Sequence, residues 1–418
     1  MDTVYNTNSE SKTSLPIDWQ KVKLKDVAEI KGGFAFDSSK FRKQGLYQVI
    51  KMSNLYENTL DLDRSQSFLD NLTEREKEYL LDKGDVLITL TGTIGKRDYG
   101  YSYQIQNEQN LLLNQRIAKL TALSIDKKFL YYEVKTKRFL NQFFYSTRGG
   151  TGNQANVGTQ DVASIKIAYP PLPEQRAIAH VLSLMDTTIN KNNQLIAQKE
   201  LRKKWLMQNL LTGKKRLKGF NGEREEYSYS KLLKIVKRDV EWDDNELYNL
   251  ISVRRRSGGI FYREALFGHQ IKVKGLRNAN EGDFLFSKMQ ILHGASALVT
   301  KEFAGAKISG SYIAVVAKDK ENLKMEYFQW YSQIPYFYHQ TYISSYGVHI
   351  EKMTFDFETF LQLKMKLPSY EEQTAIVQVL QAANKEIQLL KSKTEKLREQ
   401  KKGMMQVLLT GKKRLKIN

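Results

Sequence analysis

A stretch of 45 residues occurs twice in this chain, 198 residues apart, and this duplication constrains the fold more than any other feature. Residues 174–218 read EQRAIAHVLSLMDTTINKNNQLIAQKELRKKWLMQNLLTGKKRLK, and residues 372–416 read EQTAIVQVLQAANKEIQLLKSKTEKLREQKKGMMQVLLTGKKRLK. The copies align without a gap, 20 of 45 positions are identical, and both close on LLTGKKRLK. A self-match of this length marks a repeated structural unit. In the second copy Ile376, Leu380, Ala383, Ile387, Leu390, Thr394, Leu397, Lys401, Met404 and Leu408 follow alternating steps of four and three, a coiled-coil seam. The first copy keeps that spacing at Ile178, Leu182, Met185, Ile189 and Ile196 and resumes it at Leu206 and Leu210. Asn192, Lys199 and Lys203 interrupt it. Helical from 174 to 211, the first copy would be about 57 Å long. Gly213 and Gly411 are natural stops, and the KKRLK beyond each suits the negative end of a helix dipole. The obvious partner of each helix is the other.

The segments ahead of the helices repeat more weakly. KGDVLITLTGTIGK (83–96) answers to EGDFLFSKMQILHGAS (281–296), with Gly-Asp again 198 residues apart. YQVIKMSNL (47–55) answers to GHQIKVKGL (268–276), DVAEIKGGFAF (26–36) to NLISVRRRSGGIFY (249–262), and FLNQFFYSTRGGTGN (139–153) to FYHQTYISSYGVHIE (337–351). Offsets of 221–223 early and 198 from Gly84 onward imply about 23 extra residues in the first copy, most simply Tyr56–Leu80. The chain therefore reads as domain and helix, twice. An arm (1–14) precedes a first domain (15–173) and a helical region (174–218). A linker (219–230), a second domain (231–371) and a second helical region (372–418) follow. Runs at 47–52, 85–90 and 116–123 predict strands, 71–84 a short helix, and 127–144 an aromatic helix packed on a sheet. Residues 146–161 predict an exposed loop, and 165–173 a strand entering the first long helix.

Net charge is +20, which suggests a polyanionic partner. The two helical tracts each carry +7, however, leaving +6 for everything else. A solvated Lys-rich face explains that excess as well as nucleic acid does. The chain has no cysteine, so disulfides and thiolate metal sites are excluded. No run approaches the roughly 18 apolar residues of a membrane span. The polar start lacks the apolar core of a signal peptide, so a cytoplasmic location is expected.

No catalytic signature survives inspection. YPPLP (169–173) lacks the flanking amide or acid and the aromatic of an amino-methyltransferase motif. GTGN (150–153) has no strand before it, and GTIGK (92–96) is too short for a Walker loop. The histidines His180, His269, His293, His339 and His349 share no metal-ligand spacing. Loops suited to reading DNA are more persuasive, because Arg and Lys match guanine edges, Asn and Gln match adenine edges, and hydroxyls or backbone amides hold phosphates. In the first domain the candidates are Lys31, Gly33, Phe34, Thr93, Lys96, Arg97, Tyr101, Arg148, Gly149, Thr151, Asn153, Gln154 and Asn156. In the second they are Arg255, Arg256, Tyr262, Arg263, Lys288, Gln290, His293, Tyr342, Ser344, Ser345, Tyr346 and His349.

This layout resembles the specificity subunit of type I restriction–modification systems. The matching features are PPLPEQRAIAHVL and its repeat LPSYEEQTAIVQVL, LLTGKKRLK in both copies, and the GDVLITLTGTIGK and GDFLFSKMQILHGA segments. The resemblance implies an α+β fold: two mixed α/β target-recognition domains separated by two long helices in an antiparallel coiled coil, with a pseudo-two-fold repeat. Each domain would read one half of a bipartite, asymmetric sequence in double-stranded DNA, with the helices spacing the halves. The helix starts, Glu174, Gln175, Ile178 and Leu182 with Glu372, Gln373, Ile376 and Leu380, would dock two methyltransferase subunits. Restriction (translocase) subunits would complete the nuclease. S-adenosylmethionine, ATP and Mg would sit on those partners, leaving this chain without cofactor or catalysis. Two other readings remain at this point: a coiled-coil scaffold without a nucleic-acid role, and a stand-alone methylase or nuclease.

Overall fold

The computed structural model describes residues 15–149, 153–349 and 353–416; the arm 1–14 lies outside the described residues. The chain divides into two compact units, Met1–Asn193 with Lys393–Asn418, and Gln194–Ser392. Both divisions fall inside a long helix. Each unit holds one mixed domain and half of each helix.

The helices span Leu172–Leu210 and Tyr370–Leu408, 39 residues each. Gly213 (φ +78°) and Gly411 (φ +72°) end them in the left-handed conformation that only glycine adopts without strain. In the first unit the helix halves run antiparallel, with Lys401 Nζ on Asp186 at 2.5 Å and Arg398 on Asn193 at 3.0 Å. In the second, Lys199 meets Glu386 and Lys391 meets Glu200, both at 2.6 Å, while Lys203 donates to Asn384 at 3.0 Å. Lys199 and Lys203, which break the apolar seam, are thus among the points where the helices exchange polar contacts. Around them Ile178, Leu182, Ile189 and Leu210 are buried on one helix, and Ile376, Leu380, Ile387 and Leu408 on the other. Polar pairs embedded in such a seam fix register, because slipping one turn would strand each charge against apolar neighbours.

The mixed domains share one plan. In the first unit an antiparallel sheet runs in the order Ala28–Gly32, Ile117–Ala122, Val86–Thr89, Ser102–Gln104. In the second the order is Leu233–Val236, Tyr312–Ala317, Phe284–Ser287, Ser296–Leu298. Two helices pack on each sheet: Lys127–Glu133 and Lys137–Tyr145, then Met325–Tyr331 and Pro335–Ile343. The expected single helix over 127–144 is broken because Thr136 caps the second one, its hydroxyl accepting from Phe139 N at 3.1 Å. The expected helix over 71–84 shrinks to Glu74–Lys77 behind a Thr73 capping box. Aromatic rings fill both cores, Phe129, Phe139 and Phe143 in one and Tyr229, Phe284, Phe286, Phe328 and Phe360 in the other.

Strand pairing corrects the early part of the internal alignment. Gln20–Lys23 pairs with Lys166–Tyr169 so that Gln20 faces Tyr169, and Glu225–Ser228 pairs with Lys364–Leu367 so that Glu225 faces Leu367. The first partners are 205 residues apart and the second 198. The first copy is therefore seven residues longer ahead of Gly84, not 23, since 205 exceeds 198 by that number. DVAEIKGGFAF corresponds to strand Leu233–Val236 and not to NLISVRRRSGGIFY. The latter forms the Leu247–Val253/Ile260–Phe267 hairpin, whose first strand pairs parallel with Lys307–Ile308 as Tyr47–Ile50 pairs with Leu111–Leu113 in the first unit. Short apolar strands look alike in sequence, and only their partners tell them apart.

The repeated Gly-Asp is a structural turn. Gly84 (φ +99°) and Gly282 (φ +87°) reverse the chain, and the Asp that follows is buried. Asp85 accepts from Thr121 Oγ1 at 2.9 Å and Lys119 Nζ at 3.2 Å; Asp283 takes both terminal nitrogens of Arg238 at 2.6 and 3.1 Å.

The helix starts hold the units together from within. Glu174 accepts from Arg414 Nε at 2.7 Å, and the same guanidinium reaches Asp18 at 2.7 Å. Its counterpart Glu372 accepts from Arg216 Nε at 2.6 Å and from Arg224 at 3.2 Å. The LLTGKKRLK arginine of one helix therefore closes on the opening glutamate of the other, instead of serving only its own helix dipole. These contacts hold the Arg414 proton more tightly than usual and pull the Asp18 carboxyl below its ordinary range. Gln175 accepts from Asp126 N at 2.8 Å and donates to Pro170 O at 2.9 Å; Gln373 repeats this with Lys324 N at 2.9 Å and Pro368 O at 3.0 Å. Glu174, Gln175, Ile178, Leu182, Glu372, Gln373, Ile376 and Leu380 are all buried against their own chain. They offer no surface to a methyltransferase subunit, so their expected docking role is replaced by an internal one.

Candidate nucleic-acid interface

In the first unit two loops distant in sequence form one small sheet. Arg148–Gly149 pairs with Gln154–Asn156, which pairs with Thr91–Thr93, placing Gln154 opposite Thr93 and Arg148 opposite Asn156. The expected loop 146–161 is thus partly strand, and its end is the helix Thr159–Ser164. Ile94 N donates to Asn153 O at 2.9 Å, extending the ladder into the 94–98 turn. Asp98 closes that turn by accepting from Thr93 N at 2.6 Å and Thr93 Oγ1 at 3.2 Å, and the backbone bond holds its carboxyl below the usual range. Arg97 (φ +52°) lies over the Phe144 ring at 5.1 Å. Lys96, Arg97, Asn153, Gln154 and Asn156 are exposed on this platform, and Thr93 forms its edge. Thr151 lies outside the described residues.

Four first-unit candidates serve packing. Lys31 is tied to Glu78 O at 3.0 Å and lies over Tyr79 at 4.4 Å. Phe34 stacks among Phe36, Tyr79 and Arg75. Tyr101 leans on Tyr56 at 5.2 Å, and burial raises its hydroxyl pKa. At Gly33 an added Cβ would lie 2.0 Å from the Asn114 backbone oxygen. Glycine is required there by the close passage of the chain, not by a duplex. Gly33→Ala is therefore expected to destabilise the first unit by about 3 kcal/mol, an overpacking against backbone that cannot yield. Thermal unfolding checks this: an unchanged midpoint with weakened DNA binding would return Gly33 to the interface.

The second unit assembles its surface from three segments. In the 254–259 turn, Arg256 (φ +57°) donates its N–H to His293 O at 2.6 Å, and Ser257 (φ +53°) to Gly294 O at 2.9 Å. Ser257 and Tyr338 share a hydroxyl hydrogen bond of 2.8 Å. On the other side of this 288–294 stretch, Phe355 N donates to Lys288 O at 2.9 Å. Phe355 faces Ser345, and Thr354 faces Tyr346, in the short Ser345–Tyr346/Thr354–Phe355 ladder. The turn with Arg255 and Arg256, the segment with Lys288, Gln290 and His293, and the ladder with Tyr346 are thereby joined. Residues 288–294 sit where the first unit has strand Thr91–Thr93, and Ser345–Tyr346 where it has Arg148–Gly149. Tyr342, Tyr346 and His349 are exposed.

Other second-unit candidates are committed elsewhere. Ser344 is buried, and Ser345 Oγ donates to Thr341 O at 2.7 Å. Tyr262 donates to Glu302 O at 2.6 Å, and Arg263 pairs with its neighbour Glu264 at 2.6 Å. Gln290 and His293 are partly buried, and the His293 carbonyl accepts from Arg256 N. The supporting residues Asp98, Phe144, Ser257 and Tyr338 were not singled out from the sequence. Asp98, five residues after Thr93, is the one with a local turn signal.

Residues 16–200 and 235–399 match the type I restriction modification DNA specificity domain. The chain belongs to that family. Over 434 aligned positions it is 26% identical to the type I restriction enzyme MjaX specificity subunit of Methanocaldococcus jannaschii, covering 96% of this chain and 95% of that protein. The MjaVIII specificity subunit of the same organism is 30% identical over 211 residues, half of this chain and 48% of that protein. With that relative, the chain matches about half the length. Among solved structures, the type I restriction–modification S subunit from M. genitalium aligns with TM-score 0.58 at 12% identity, over 98% of this chain and 99% of that one. A chain from a study of complex assembly and conformational transition in the type I R-M system aligns with TM-score 0.54 at 16% identity, over 95% and 99%. At these identities the structural likeness bears on the fold. The two matched segments each contain one of the surfaces built above.

Among the described residues no group of three or more His, Asp or Glu is placed to hold a metal ion, and no helix is long and apolar enough to cross a membrane.

Proposed function

We propose that this chain is the DNA-recognition subunit of a type I restriction–modification complex, each unit reading one half of a bipartite duplex sequence. The observation that carries the reading is the duplicated platform: in both units one helix end, one short ladder and one turn converge, with Lys96, Arg97, Asn153, Gln154 and Asn156 exposed in the first and Arg255, Arg256, Tyr346 and His349 in the second. It is joined to family membership over both segments. The chain acts without catalysis of its own and directs modification and restriction subunits, which hold the S-adenosylmethionine, ATP and Mg. Those subunits dock on surfaces other than the buried helix starts.

Asn153→Ala combined with Gln154→Ala is expected to relax recognition of one half-site, and Arg255→Ala of the other, by about 1–3 kcal/mol per lost base contact. Methylation of a duplex library by the assembled complex measures this. If each variant instead weakens all sequences equally, with a smaller salt slope, the residues touch phosphate. If neither variant nor salt alters DNA binding, the scaffold reading takes its place.

A further inference from the structure

The helices Lys137–Tyr145 and Pro335–Ile343 end in the same way in both units. Their last two residues are bulky and apolar, Phe144-Tyr145 in one and Tyr342-Ile343 in the other, 198 residues apart. The helices themselves are rigidly seated through Phe139 and Phe143, and through Phe337. Yet Tyr145 is 91% exposed, Tyr342 52% and Ile343 49%. Both domains leave a large apolar side chain in water at this position. Each pair lies next to the reading platform. Only Ser146 and Thr147 separate Tyr145 from strand Arg148–Gly149, and only Ser344 separates Ile343 from strand Ser345–Tyr346.

The flanks are anchored and cationic. Thr147 is held by Tyr99 at 2.8 Å, and the Arg97 guanidinium lies over Phe144 at 5.1 Å. In the second unit the neighbouring ladder is tied to the Lys288 backbone through Phe355. Exposed Lys96 and Arg97 stand beside Tyr145, and in the second unit the turn with exposed Arg255 and Arg256 is tied through Ser257 to Tyr338 of the Pro335–Ile343 helix; cations beside an apolar side chain match a duplex, with its phosphates outside and its bases stacked within.

We propose that Tyr145 and Ile343 are apolar wedges, each entering the duplex beside its own half-site and unstacking one base step there. This rests on the DNA-recognition reading and deepens it. Sequence preference would then arise at a step no polar side chain touches, because steps differ in the cost of unstacking.

The test uses the full chain assembled with its modification subunits, and duplexes carrying 2-aminopurine at successive positions across each half-site. The fluorescence rise at one step of the first half-site is expected to disappear in Tyr145→Ala, to persist in Tyr145→Phe, and to be untouched by Ile343→Ala. The second half-site should show the converse, with Ile343→Leu retaining the signal. Affinity for the cognate duplex should fall about tenfold in each alanine variant, the loss of one stacked contact. Wild-type and Tyr145→Ala complexes that read the sequence with identical fluorescence profiles would overturn the wedge and leave the recognition reading intact. So would alanine variants that fail to assemble with the modification subunits, since that would assign these side chains to a protein surface. A wild-type complex with no sequence preference would instead bring down the recognition reading itself.

Discussion

Glu372→Ala is expected to destabilise the second unit by about 3–5 kcal/mol, the cost of leaving buried cations without their anion. Glu372 is 1% exposed and is the shared acceptor of two guanidiniums, Arg216 and Arg224, of which Arg224 is 6% exposed. Removing the carboxylate turns an attraction into a repulsion between two cations that cannot both reach water. The same change in the first unit, Glu174→Ala, should cost no more than about 1 kcal/mol, because Arg414 is 39% exposed and solvent screens it. Arg414 also keeps Asp18 as a second carboxylate. For units of this size the difference corresponds to a midpoint about 10 °C lower for Glu372→Ala than for wild type. Calorimetry on the two variants measures it, and midpoints equal to that of wild type would show that the clamp contributes little in either unit. Adding Arg216→Ala to Glu372→Ala should recover part of the loss, since one unpaired cation is then removed.

This clamp marks where the sequence was legible and where it was not. The helices announced themselves through heptad spacing and a gapless repeat, and Leu172–Leu210 and Tyr370–Leu408 lie within a few residues of expectation. The glutamates and arginines at their ends looked like surface features because a charged residue carries no sequence sign of its partner. Arg414 and Glu174 are 240 residues apart, and only the antiparallel fold brings them together. The same blindness misassigned Gly33, whose need for glycine comes from Asn114, a residue on another strand. It also displaced the early internal alignment, since an isolated apolar strand such as Leu233–Val236 has no feature by which to choose between Tyr312–Ala317 and any other neighbour. The exposed loops were found more reliably. Glycines, amides and cations without apolar periodicity mark exposed chain from local composition alone, and the structure then joins Thr91–Thr93 to Gln154–Asn156.

Exchanging residues 225–367 for the corresponding segment of another family member is expected to replace one half of the recognised sequence completely and leave the other half unchanged. The junctions favour this. Glu225 and Leu367 are direct partners in an antiparallel ladder, so the cuts fall side by side on one pair of strands and the segment between them is closed on itself. The charged contacts that hold the helix ends lie outside it: Glu372, Arg216 and Arg224 stay with the host chain, as do Lys199, Lys203, Asn384 and Glu386, and only backbone groups of Asn322 and Lys324 reach Gln373 from within it. Host stability should therefore change little, provided the incoming domain supplies an apolar face for Leu210, Ile376 and Leu380. Each mismatched base pair in a specific site costs about 1–3 kcal/mol, so a half-site of several pairs changes affinity for the original sequence by about a thousandfold or more. Methylation profiles of the hybrid complex against both parental sequences provide the measurement. A hybrid that assembles and still prefers the original sequence in both halves would sink the assignment of one unit to one half-site. A hybrid altered in both halves would mean that the two surfaces read as a single continuous site, and that the duplication in the chain is not a duplication of function.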